Sequence, residues 1–252
     1  MCSEYALQVE SMAELKDITS LPDDFDSRVR LFPLPELVVF PHAMLPLHIF
    51  EPRYCDMLME SLATDRLIAM ATLTLGVADV LLEKPSIAEM ICICKIVSHA
   101  ETEDGRHNIL LVGAKRAKLV REFDSNRTFR IAEVMVQSDI HASEGTQQRK
   151  LLRAALLDAF AGVIPANANV QQNLHELMSG QMGLGPITDI ISYTLGLSSE
   201  SKLRLLAEPD IDRRARILIG FLKQMSSDGS GGAAQITIKS SPKNFPPPFS
   251  LN

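Results

Sequence analysis

The sequence predicts an α+β protein, with a β part of barrel or sandwich type followed by a small α-helical bundle. Three observations carry this reading. Between residues 28 and 137, short apolar runs alternate with turn signals such as Asp104-Gly105 and Asp124-Ser125-Asn126. Between residues 144 and 225 the strand signals stop and apolar residues recur at helical spacing. Those helical patterns are one-faced, so each must pack on something, and the simplest arrangement is a bundle docked on the β part.

Residues 1–27 are polar and acidic, with only a faint helical pattern (Leu7, Met12, Leu15, Ile18). They read as a loosely ordered N-terminal extension ending in the linker Leu21-Pro22-Asp23-Asp24. The β subdomain is expected over 28–140. Arg28–Phe32 and Leu37–Phe40 are strand candidates. Around them Pro33, Pro35, Pro41 and Pro46 punctuate apolar pieces too short for helices. Proline fixes φ and removes a backbone donor, so it belongs at strand starts, edges and turns. A helix is expected from Tyr54 to Leu62, because Tyr54, Leu58 and Leu62 recur at four-residue steps. Leu67–Leu73 is a continuous apolar run of buried-strand length. Ile87–Val97, Asn108–Gly113, Ala117–Glu122 and Phe129–Val136 complete the strands.

The helical subdomain is expected over 141–225. Its first helix carries Leu152, Leu156, Phe160 and Val163, and a second holds Leu174, Leu177 and Met178. A third begins at Pro186, a favoured first helical position, and buries Ile187, Ile190, Ile191, Thr194 and Leu195. Ser198 or Ser199 can cap the fourth, with Leu203, Leu206 and Ala207 inward. Asp210 can cap the last, with Ile211, Ala215, Leu218, Ile219 and Leu222 inward. Residues 226–252 are rich in Gly, Ser and Pro and read as a disordered tail.

Composition excludes several functions. The chain has 252 residues, 46% of them hydrophobic, so it is long enough for a real core. The 25 basic residues face 31 acidic ones, net −6, which argues against a generic nucleic-acid binder. Lys115, Arg116, Lys118, Arg121 and Arg130 leave room for an RNA-binding module as the alternative reading. There is no secretory signal and no run approaching the ~20 apolar residues of a membrane span, so a cytoplasmic protein is expected. Cys92 and Cys94 alternate along a strand and read as buried structural thiols; an isolated Cys-x-Cys is weak evidence for zinc. No phosphate-binding loop, dinucleotide fingerprint or nucleophile elbow occurs, and His175-Glu176 lacks the second histidine of a zinc helix. No catalytic residue, metal or cofactor is therefore expected.

The proline-punctuated segment resembles the start of the Lon protease N-terminal domain family. The matching pieces are Phe32-Pro33-Leu34, Val38-Val39-Phe40-Pro41, Pro46-Leu47-His48-Ile49-Phe50 and Glu51-Pro52-Arg53-Tyr54. Ile109 to Ala117 resembles the family's later strand and turn, with Gly113 and Arg116 in its Gly-x-x-Arg pattern. Ile187–Ile191 and the stretch from Leu205 to Arg213 resemble its helical subdomain. The resemblance implies a PUA-like β-barrel-type subdomain followed by helices, and structural roles for Pro41, Pro46, Phe50, Glu51, Arg53, Tyr54, Gly113 and Arg116. Arg53 is expected to have a carboxylate or carbonyl partner. The pattern departs at His42, where the family commonly has glycine; a different turn conformation is expected there, since glycine permits φ > 0 more readily.

In full Lon proteases this domain contributes to substrate capture, and no ATPase or peptidase motif appears here. The resemblance thus implies a non-catalytic module for unfolded or degron-bearing polypeptides, an adaptor whose other partner is a protease or a second copy of itself. Met44, Leu45, Leu47 and Met57 are the candidate peptide-binding residues, because methionine adapts to varied partners.

Overall fold

A computed structural model of the chain describes residues 19–74, 84–141, 146–164 and 182–227. Most of the N-terminal extension, the pattern around Leu174–Met178 and the tail from 228 onward lie outside these described residues. The chain divides into two compact units, Met1–Gln137 and Ser138–Asn252.

The first unit contains β1 (Arg28–Pro35), β2 (Met44–Ile49), α1 (Pro52–Ala63), β3 (Leu67–Leu73), β4 (Met90–Glu101), β5 (His107–Phe123) and β6 (Arg130–Gln137). The strand order is β2-β5-β4-β3-β1-β6, and β6 pairs also with β5. Strands β5, β4, β3, β1 and β6 therefore close into a ring, and β2 hangs outside it. Strand β5 makes this possible. Its residues 107–112 pair with β2, its residues 116–123 pair with β6, and β4 runs along its other edge. Among the described strands, only β1 and β3 pair in parallel.

The ring closes around Val29, Leu31, Leu67, Ala69, Ala71, Ile91, Ile93, Ala117, Ala132 and Val134. Four alanines among them keep the interior narrow enough for five strands to be filled by side chains alone. Cys92 and Cys94 are both fully buried in β4.

Two strand expectations are corrected. Leu37–Phe40 is not a strand, although Val38, Val39 and Phe40 are 2%, 2% and 0% exposed. The segment is a packed loop, because Glu36 (φ 57°) and His42 (φ 65°) turn the chain at either end. An apolar run looks the same in sequence whether it is buried as strand or as loop. His42 thus adopts a left-handed conformation, one that glycine takes up more readily than histidine. Asn108–Gly113 and Ala117–Glu122 are one strand. A bulge between the pairs Ile93–Lys115 and Cys94–Gly113 carries β4 pairing across the gap.

The second unit contains α2 (Thr146–Ala161), α3 (Leu184–Thr194), α4 (Ser199–Ala207) and α5 (Ile211–Ser227). Ser198 caps α4 by accepting from the Ser201 amide at 3.2 Å. The Asp210 carboxylate accepts from the Asp212 and Arg213 amides at 2.9 and 3.0 Å and so caps α5. Helix α3 begins two residues before Pro186. In α4 the buried residues are Leu205 and Leu206, whereas Leu203 is half-buried and Ala207 exposed. Ile190, Thr194 and Ile219 are likewise only half-buried.

Sequence reading missed the polar interior of this unit. Arg214 is 0% exposed and Asp189 1%. The Arg214 guanidinium donates to both Asp139 oxygens at 3.0 and 3.1 Å and to the Glu208 carbonyl at 2.8 Å. Its Nε lies 3.2 Å from Asp189 Oδ1, an ion pair without hydrogen-bond alignment.

Candidate functional site

The alternation of β2 sorts its side chains. Leu45 and Ile49 are buried, Leu47 is half-buried, and Met44, Pro46 and His48 face outward. Met44 is 53% exposed, and Phe50, directly after the strand, is 61% exposed. Pairing continues this face into β5 through the half-buried Leu110 and Asn108, while Val112, opposite Met44, is buried. His48 Nδ1 is 2.8 Å from Asn108 Oδ1. Apart from the His48 imidazole, none of these side chains is of a charged type, so the strip is largely apolar.

The far edge of β2 has no ladder partner among the described residues. Gly113 fixes which β2 groups face that edge. Its amide donates to the Ala43 carbonyl, and its carbonyl accepts from the His42 amide, both at 2.8 Å. By two-residue alternation, Leu111, Ile109 and His107 bond to Leu45, Leu47 and Ile49. The backbone groups of Met44, Pro46 and His48 then point to the open edge. Pro46 removes the middle donor from it, a device that protects edges from strand addition. Pro46→Thr is therefore expected to self-associate more strongly than the wild type as concentration rises, as read by sedimentation velocity. An unchanged sedimentation profile would contradict the assignment.

Beyond Phe50 the chain enters α1, with Glu51 as N-cap and Pro52 in the first turn. Arg53 donates to Glu51 at 3.0 Å and lies 4.5 Å over the Tyr54 ring. Tyr54 is 5% exposed and its ring centroid is 4.3 Å from that of Phe32. Burial pushes the Tyr54 hydroxyl pKa up, with Arg53 acting in the opposite direction. A cavity of about 190 Å³ opens here. Pro33, Leu34, Leu73, Pro85, Tyr54 and Phe129 make it apolar, and Glu51, Arg53 and Arg130 line it as well. It has room for one large apolar side chain.

A larger cleft of about 570 Å³ lies elsewhere in this unit, lined by Arg28, Arg30, Glu60, Asp65 and Arg127 among others. Its charges already answer one another. Arg30 bonds Glu60 at 2.9 Å and Asp65 at 2.8 Å, and Arg127 also pairs with Glu60. A ligand would have to compete with those pairs, so the smaller apolar cavity is the better candidate.

The sequence candidates therefore divide. Met44 lies on the exposed strip. Leu45 and Met57 are core residues, 7% and 0% exposed, because β2 alternation and the inner face of α1 direct them inward. Leu47 points the same way as Leu45 and is half-buried. Phe50, expected to be structural, is instead exposed. Pro41 is buried in the loop that packs on Gly113. Arg116 is 2% exposed within β5, opposite Cys92. Of the other basic candidates, Lys118 pairs with Glu89 at 3.2 Å, Arg121 with Glu133 at 2.7 Å and Arg130 with Glu122 at 2.7 Å, while Lys115 is half-buried in β5. This leaves little of the basic patch that an RNA backbone would require. Sequence reading missed Phe129 and Pro85 as cavity walls, for which only the tertiary fold supplies a signal.

Among the described residues, no group of three or more His, Cys, Asp or Glu is placed to hold a metal ion. Among them, too, no helix is long and apolar enough to cross a membrane.

The family model of the ATP-dependent protease La (LON) substrate-binding domain matches residues 28–224. The chain is 25% identical over 195 residues to a Lon protease of Heliobacterium modesticaldum, covering 76% of this chain and 23% of that protein. It is 27% identical over 208 residues to a Lon protease of Solibacter usitatus, covering 79% and 24%. The chain thus spans about a quarter of the length of these relatives. Among solved structures, the N-terminal domain of Mycobacterium avium complex Lon protease matches with a TM-score of 0.58 at 16% identity, over 78% of this chain and 98% of that one. A Lon N-terminal domain protein from Xanthomonas campestris matches with a TM-score of 0.54 at 22% identity, over 77% and 98%. At these identities the structural likeness shows the fold alone.

Proposed function

Since the chain belongs to the family of the LON substrate-binding domain, we propose that it is a protein-binding module that captures extended apolar segments of unfolded or degron-bearing polypeptides, with no catalytic step of its own. The observation that supports this reading is the juxtaposition in the chain of an exposed, largely apolar strip, Met44 to Phe50, with a cavity sized for one side chain at Glu51–Tyr54. A client side chain entering that cavity gains about 1.5–3 kcal/mol from burial. Contacts with Met44 and Phe50 add smaller increments along the strip and tolerate varied sequences. Pro46 keeps the client from simply extending the sheet, so recognition rests on side chains rather than on backbone pairing. Folded proteins hide such segments and are passed over. An adaptor role, delivering the captured chain to a protease, follows as part of the proposal.

The test is equilibrium binding of fluorescent, reduced and carboxymethylated α-lactalbumin, with native α-lactalbumin as control. Wild-type protein is expected to prefer the unfolded form. Met44→Ser/Phe50→Ser is expected to weaken that binding about tenfold, the equivalent of about 1.4 kcal/mol, without changing the melting temperature. Equal affinity for native and unfolded lactalbumin, or an unaffected double variant, would refute the proposal.

A further inference from the structure

We propose that the contact between His99 and His107 makes this capture surface acid-sensitive, loosening the end of β2 and releasing clients as pH falls below about 6.5. The inference rests on the reading of the surface given above.

The two rings meet on the inner side of the same sheet. His99 Nε2 lies 3.1 Å from His107 Nδ1, and the ring centroids are 5.2 Å apart. His107 is 7% exposed and sits opposite both Ile49, the last residue of β2, and Glu101 of β4. His99 sits opposite Ile109, which pairs in turn with Leu47. The contact therefore backs the stretch of β2 that leads into Phe50 and the cavity.

One nitrogen of the contact must donate and the other accept. A neutral pair or a singly protonated pair satisfies this. A second proton places two N–H donors head to head beside Ile49, which is 1% exposed. Other charges partly cancel: Glu101 on β4 favours protonated His99, and Arg66, in the turn before β3, opposes it. On this face β2 and β5 contribute the apolar Leu47, Ile49 and Ile109. Burial first, and His107 second, hold the His99 pKa below the ordinary histidine value.

The sign follows from that direction. The opened end binds a proton near the ordinary value, and the closed end only at lower pH. Closure is therefore fully favoured above about pH 6.5 and is progressively lost below it. Exclusion of one proton raises the opened fraction about tenfold between pH 7.5 and pH 5.5.

Hydrogen exchange on the full chain reads this directly. After correction for intrinsic rates, protection at residues 47–51 and 107–109 is expected to fall about tenfold between pH 7.5 and 5.5. His99→Gln/His107→Gln is expected to flatten that dependence, and His99→Gln alone, which alters the less buried ring, to reduce it. Affinity for a blocked, uncharged apolar peptide should fall in parallel in the wild type only. Unchanged wild-type protection across the two pH values would overturn the proposal, as would a full pH dependence surviving in the variants. If the peptide binds at neither pH, the capture function fails, while the exchange data still decide the switch.

Discussion

Gly113→Ala is expected to abolish stable folding of the first unit. A β-carbon at this position would lie 2.0 Å from the Phe40 carbonyl oxygen, 2.8 Å from its carbon and 3.1 Å from the Pro41 Cα. All three are backbone atoms, so no side chain can swing away. Relief requires lifting the loop that buries Val38, Val39 and Phe40 and breaking the two 2.8 Å bonds between Gly113 and residues 42 and 43. Overpacking costs about 1–3 kcal/mol and each orphaned buried backbone group about 1–3 more. The sum, about 4 kcal/mol or more, is a large part of a typical domain's stability. Urea denaturation followed by circular dichroism measures it. Gly220→Ala in α5, where nothing lies within 4 Å, serves as the control and should cost nothing. A loss below about 1 kcal/mol at Gly113 would show that the loop does not pack as described.

Arg214→Met is expected to destabilise the helical unit by about 3–5 kcal/mol. The side chain is fully buried and answers Asp139, Asp189 and the Glu208 carbonyl at once. Removing it takes the Arg214 ion pair away from Asp189, which is 1% exposed in a low-dielectric interior. Asp139 is 28% exposed and can recruit water, so Asp189 dominates the loss. Arg214→Met/Asp189→Leu should therefore recover much of it, because apolar replacement of a buried pair is often near neutral. Thermal unfolding of the two variants side by side checks this. Equal stability of single and double variants would place the cost elsewhere, in the Glu208 carbonyl or in packing.

Both sites show what sequence reading reached and where it stopped. Periodicity located α1 and the later helices, because their one-faced patterns obey the 3.6 repeat, and Ser198 and Asp210 announced two helix starts. The same logic failed for Leu37–Phe40, since burial and not pairing selects apolar residues there. It passed over Arg214, because a charged residue in an amphipathic helix ordinarily faces water; only the fold brings Asp139 and Asp189 to it. Gly113 and Arg116 stood out through their place in the family pattern, but the clash that makes glycine necessary at 113 comes from residues about seventy positions earlier. For the candidate site, the exposed Met44 was legible. Leu45 and Met57 were not separable from it, because register on β2 and the facing of α1 decide exposure. The cavity draws its walls from β1, α1, β3 and the segment before β6, a convergence that no local pattern encodes.

The central claim is that unfolded chains are held by the Met44–Phe50 strip and the adjoining cavity. Site-specific photo-crosslinking tests it most directly. A benzophenone amino acid is placed at Phe50, and for comparison at Val120, which is 56% exposed in β5. With reduced, carboxymethylated α-lactalbumin, the position 50 probe should give an adduct that an excess of unlabelled unfolded client competes away, and the position 120 probe should give none. Equal crosslinking from both positions, or an adduct at 50 that unfolded client does not compete, would contradict the account.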